Sequence, residues 1–162
     1  MGGETNQQQV TDGGSESRTE NQSHSDMKTD IDIKDDVYLW LKDSALVKEL
    51  SGKLCKALRP AASTAEDCVI SVLANEGGQV QSAYINVNIY VADQLRTYAT
   101  EKQYEENTIR LRKLCQLASE ALERHVGDDY RWELESQRVI AVDGRDEHCI
   151  NNRLLYRHCN DN

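Results

Sequence analysis

Between residues 80 and 92 apolar and polar side chains alternate without a break. Ala83, Ile85, Val87, Ile89 and Val91 fall on one side and Tyr84, Asn86, Asn88 and Tyr90 on the other. Successive side chains of a strand point to opposite faces, so this run predicts a strand with one buried and one polar face. Residues 68–74 (CVISVLA) form a short, nearly continuous apolar run, which predicts a buried strand, and Gly77-Gly78 between the two runs predicts a hairpin turn. Farther on, Tyr130, Trp132 and Leu134 alternate with Arg131, Glu133 and Glu135, giving a strand that continues or bulges through Val142. Asp143-Gly144 marks a turn, and His148, Ile150, Asn152, Leu154, Tyr156 and His158 alternate along a last strand.

Two stretches carry a period of three to four instead. Val37, Trp40, Leu41, Ala45, Leu46 and Leu50 line one helical face, with Asp35 and Asp36 at its positive end and Gly52 as its stop. From about Glu105 to Val126 a second stripe is formed by Leu111, Leu114, Cys115, Ala118, Ala121 and Leu122. Glu101, Glu105 and Glu106 near its start, Arg124 and His125 at its end and Gly127 beyond suit the helix dipole and a glycine C-cap. Lys53 to Leu58 reads as a weak strand leading to Pro60, the only proline, with a loop after it. The predicted class is α+β: a small antiparallel sheet with two helices packed on one face, in the order α-β-β-β-α-β-β.

Composition changes this picture at the N-terminus. Residues 1–36 hold nine acidic and three basic residues, so they carry −6 of the net −9, and the remainder is only −3. Residues 1–33 are built mainly of polar residues that cannot bury enough surface to offset the entropy of ordering them, and are expected to form a disordered acidic tail. Residues 34–160 are expected to form one α+β domain. Met27 stands where the composition shifts and is a candidate functional start. A net of −3 offers no electrostatic footprint for gripping phosphates, which argues against sequence-specific DNA binding.

Candidate chemistry is sparse. No run approaches the roughly 20 apolar residues of a membrane helix, and the chain does not open with the basic-then-apolar order of a signal peptide, so a cytosolic, non-membrane protein is expected. Five cysteines without a CxxC pair suggest neither a disulfide framework nor a zinc ribbon. His148-Cys149 and His158-Cys159 are the only clustered potential ligands, but along a strand the histidines share one face and the cysteines the other, which disfavours a tetrahedral site. Asp128-Asp129 and the stretch from Asp143 to Glu147 read as turn chemistry or solvated charge. With no nucleophile elbow, phosphate loop or dinucleotide fingerprint, no enzyme activity, metal or cofactor is expected.

The polar side of the alternating strand is more informative. Tyr84, Asn86, Asn88 and Tyr90 form either a solvated sheet surface or a subunit interface, since tyrosine adds rigid contact area and asparagine bonds without a charge to desolvate. The opening VYLWLKDSALVKEL, the strand QSAYINVNIYVAD, the helix around RLRKLCQLASEAL and the closing EHCINNRLLYR together resemble the tail-terminator type of bacteriophage tail-completion protein, over roughly residues 34–158. The resemblance implies a subunit without an active site that forms a homo-oligomeric ring, usually of six, capping the tail tube and joining it to the head connector. DNA would pass through that ring without specific binding. It also implies assembly in the host cytoplasm and a final place in the virion neck. The long acidic tail departs from the family pattern.

Two other readings compete: a small cytosolic protein-binding adaptor whose acidic tail meets a basic partner, and, behind it, an enzyme using the turn carboxylates. The alternation itself makes a prediction. Val87→Asp is expected to unfold the domain, because an unpaired buried charge costs several kcal/mol against a total stability of about 5–15 kcal/mol. A native circular-dichroism spectrum for that variant would contradict the assignment of faces.

Overall fold

The computed structural model describes residue 2 and residues 27–159. Most of the expected tail lies outside the described residues, but its last part belongs to the fold. Helix α1 (Asp30–Leu41) starts ahead of the expected boundary at residue 34, because Thr29 and Asp32 make a capping box. Thr29 Oγ1 accepts from the Asp32 amide at 3.2 Å while Asp32 Oδ2 accepts from the Thr29 amide at 2.8 Å. Just before it, the Lys28 amide donates to Gln81 Oε1 (2.8 Å) and Gln81 Nε2 donates back to Lys28 O (2.7 Å), tying this segment to the sheet.

The expected single helix over residues 37–50 is two. α1 ends at Leu41, and Ser44, whose side chain accepts from the Val47 amide, caps the short α2 (Ala45–Glu49). The strands are β1 (Leu54–Cys55), β2 (Cys68–Glu76), β3 (Val80–Ala92), β4 (Gln94–Tyr98) and β5 (Glu101–Glu105). After α3 (Thr108–Leu122) come β6 (Arg124–Val126), β7 (Tyr130–Ala141) and β8 (Glu147–Cys159). Six of these strands form one curled mixed sheet in the order β1-β2-β3-β8-β7-β6, and β4 pairs only with β5 as a separate ribbon.

The expected fold class is therefore corrected. With 46% strand and 24% helix the protein is mostly β, not a small antiparallel sheet under two helices. Three calls produced the error. β1 runs parallel to β2, which requires the crossover loop of residues 56–67 between them. Residues 94–105 fold as the ribbon, so Glu101 and Glu105 lie in β5 and not in the first turn of α3, whose N-cap is Asn107. Arg124–Val126 belong to β6, so α3 ends at Leu122, well before Gly127.

One continuous core joins all three helices to one side of the large sheet. Ile33, Val37 and Leu41 of α1, Leu46 of α2 and Leu111, Leu114, Ala118 and Leu122 of α3 cluster with Ile70, Ile85, Val87, Ile89, Ile150 and Leu154. The two tryptophans close the C-terminal end of α3, whose last carbonyls lack intrahelical partners. Trp40 Nε1 donates to Ala121 O (2.8 Å) and the fully buried Trp132 Nε1 donates to Leu122 O (3.2 Å). His125 sits between them with its ring tilted to both, centroids 4.0 Å from Trp40 and 4.5 Å from Trp132, and burial lowers its pKa.

Trp132→Phe keeps a ring in this site but orphans the Leu122 carbonyl and leaves a gap. We expect a loss of about 1–3 kcal/mol, read as a lower urea midpoint at unchanged slope. An unchanged midpoint would show that the indole does not hold the helix end.

Candidate functional site

The polar residues of β3 lie on the side of the sheet away from the helices, as do their neighbours in register on β2 and β8. Asn86 pairs across to Ser71 and Arg153, and Asn88 to Val69 and Asn151. Asn151 Nδ2 donates to Asn88 Oδ1 at 2.7 Å, and the Arg153 guanidinium lies over the Tyr84 ring at 4.3 Å. Glu135 Oε2 approaches Arg153 Nε to 3.3 Å as an ion pair, but off the N–H direction, so among the described residues that nitrogen makes no hydrogen bond. The face thus sets the amides of Asn86, Asn88 and Asn151 beside the Arg153 guanidinium at its centre. Tyr84, Asn86 and Asn88 are half-buried along it.

Tyr90 shares the face and is half-buried on it like Tyr84. The crossover loop 56–67 folds over this corner and sets the Arg59 guanidinium over the Tyr90 ring at 4.2 Å. Burial accordingly pushes the Tyr90 phenol above its usual range. Arg59 Nη1 and Nη2 donate to the two carboxylate oxygens of Glu147, each at 2.7 Å, Nε donates to Asp67 Oδ2 (2.9 Å) and Nη2 also to Ala65 O (2.8 Å). Asp67 accepts in addition from Ser63 Oγ (2.6 Å) and from the Lys53 amide (2.8 Å). Gly52 lies so close to the backbone of Glu66 that a Cβ has no room there, which lets the loop close on itself. Asp67 and Glu147 are both buried, so the pair is stable only while Arg59 neutralises it.

The two histidines belong to separate networks. His148 Nδ1 lies 2.6 Å from Asp93 Oδ1, and His158 Nδ1 lies 2.7 Å from Asp129 O, at different places along β8. Asp129 and Asp36 flank Lys28 Nζ at 2.9 and 2.8 Å, and Tyr156 donates to Asp36 at 2.7 Å. Of the carboxylates expected to be solvated or turn-forming, Glu147 is instead held by Arg59. Among the described residues no group of three or more His, Cys, Asp or Glu is placed to hold a metal. The cysteines are all free; Cys149 is buried, which pushes its thiol up to about 11.

Sequence reasoning missed Arg59 and Asp67, which sit in a loop with no periodicity, and it missed the ribbon. The only signal for Arg59 was an isolated cation beside the sole proline. Comparison with protein-family models and with curated proteins found no match in either.

The Arg59 cluster has a pH signature. Burial alone would raise the Asp67 pKa, but hydrogen bonds from Ser63, the Lys53 amide and Arg59 outweigh it and hold the carboxyl below its usual 3.8. A depressed carboxyl contributes stability that is present above its unfolded pKa and lost as pH falls through its folded one. Arg59→Met is therefore expected to cost about 3–5 kcal/mol at neutral pH, and less below about pH 4, where protonation removes the stranded charges. Urea denaturation of both proteins across that range checks this; a gap independent of pH would assign the loss to packing alone.

Proposed function

We propose that the chain is a structural assembly subunit of the phage tail-terminator type. It closes into a ring that caps the tail tube and joins it to the head connector, assembling in the host cytoplasm and remaining in the virion neck. The observation that carries this reading is the half-buried face of Tyr84, Asn86, Asn88, Asn151 and Arg153, over which no helix among the described residues packs. Tyrosine and arginine are favoured at protein interfaces, and uncharged amides can be buried against a partner if their hydrogen bonds are met. Ring closure needs a heterologous contact, one patch meeting a different patch on the next copy by rotation. The surplus of acidic residues suits a passage through which DNA slides without being held.

Light scattering on the purified chain, alone and with tail-tube protein, tests the proposal. A ring-sized assembly is expected; a chain that stays monomeric under both conditions contradicts it and favours the adaptor reading. Tyr84→Ser is expected to leave the urea midpoint within about 1 kcal/mol of the parent while weakening assembly about tenfold. Undiminished assembly of that variant would leave this face as solvated surface.

A further inference from the structure

Among the described residues the large sheet has one long regular edge without a partner. β6 covers β7 only through Val126↔Arg131, His125↔Trp132 and Arg124↔Glu133, and the last bond on that side runs from the Leu134 amide to Glu123 O at 2.9 Å. A bulge then intervenes between Leu134 and Ser136. Beyond it the Val142 amide bonds Glu147 O (3.0 Å), so by the antiparallel alternation Ile140, Arg138 and Ser136 are bonded to β8. The amides and carbonyls of Gln137, Val139 and Ala141 consequently point outward. No strand among the described residues meets them. The opposite edge differs: β2 carries its bulge, between Val72 and Ala74, in the middle of its uncovered half, which blunts it.

Beside the free edge lies an open cleft of about 350 Å³ between β7 and α3, with Leu111, Cys115 and Val139 in its wall and Arg112 at its rim. Val139 is 41% exposed there. A strand added to this edge would place every second side chain over the cleft.

The chain carries a matching piece. Among the described residues the β4–β5 ribbon pairs with no other strand, and its two faces are unequal. On one, Tyr98 and Gln103 donate to Glu105 Oε1 (each 2.7 Å) and Arg96 is 3.3 Å from the same carboxylate, so the polar groups satisfy one another. On the other, Leu95 and Tyr104 stand opposite each other in register, 52% and 54% exposed. Over both strands the ribbon bears Arg96 and Lys102 against Glu101 and Glu105, so it is net neutral and no like charge opposes its approach to residues 136–141, whose sole charge is Arg138. We propose that the ribbon of one copy adds to the outer edge of residues 136–141 in a second copy and lays Leu95 and Tyr104 into the cleft beside Val139. The contact joins two different patches, as ring closure demands, and in this respect it rests on the assembly reading above.

The test uses two full-length variants, Leu95→Ser/Tyr104→Ser in the ribbon and Val139→Lys on the edge, studied by sedimentation alone and as an equimolar mixture. Each change lies at the surface, so both variants should keep the parental urea midpoint. Each alone is expected to associate at least about tenfold more weakly than the parent. Mixed, they should recover a complex, because one supplies an intact edge and the other an intact ribbon. Parental assembly by either variant alone, or no recovery on mixing, overturns the ribbon contact while leaving the assembly reading intact. A parent chain that never associates, with or without tube protein, overturns both. Slow amide exchange at Gln137 and Val139 in dilute monomer would show that another segment of the same chain occupies the edge, and would also overturn the proposal.

Discussion

The pairing of β3 with β8 in one unbroken register of thirteen pairs, Val80↔Cys159 to Ala92↔Glu147, decides which side chains of the central sheet meet the helices and which do not. Side-chain direction along a strand has a period of two, so a slip by one residue would turn Ile85, Val87 and Ile89 outward and bury Asn86 and Asn88. Polar groups inside the core hold the register against such a slip. Asn152 is fully buried, donates to Val87 O (3.1 Å) and accepts from Gln137 (2.8 Å), which also donates to Cys115 O on α3 (3.0 Å). Hydrophobic burial would tolerate several registers if the pattern were uniform; these bonds tie β3, β8, β7 and α3 together in one alignment.

From that register follows the inequality of the two sheet faces. The helix side is a buried, mainly apolar core. Among the described residues the other side is covered only at one corner, where loop 56–67 crosses it and Arg59 locks onto Asp67 and Glu147. The crossover exists because β1 is parallel to β2, so a two-residue strand determines how much of the open face stays free. The bulge in β7 has a comparable effect at the sheet edge: it ends the pairing with β6 and starts a regular stretch with outward-facing backbone. The open face and the free edge are in this sense products of irregularities placed on a regular frame.

What could be read from the residues follows the same division. β3, β8, the Gly77-Gly78 hairpin and the stripe of α3 were legible because each buries one face and leaves the other wet, which imprints a period on the sequence. The corner loop was illegible, since Arg59, Asp67 and Glu147 come together from distant positions with no periodic signal. The ribbon was hidden by its turn. Ala99 adopts a positive φ of 54° where glycine or asparagine is the usual marker, and both strands are too polar to stand out. The expected helix over residues 37–50 failed locally, because Asp43-Ser44 restarts the chain with a new N-cap inside an apolar pattern that continues across it. Tyr84, Asn86, Asn88 and Tyr90 were placed on the open face from alternation alone, but the Arg59 guanidinium over the Tyr90 ring is a tertiary contact that alternation cannot register.

Native-state hydrogen exchange resolved along β3 and β8 tests the account most directly. If their register is the frame on which everything else is set, the amides of residues 83–91 and 148–156 exchange last, through global unfolding, with an opening free energy equal to that from denaturant. Exchange at these amides that is faster than in α3, or that proceeds by local opening while α3 stays protected, would contradict it.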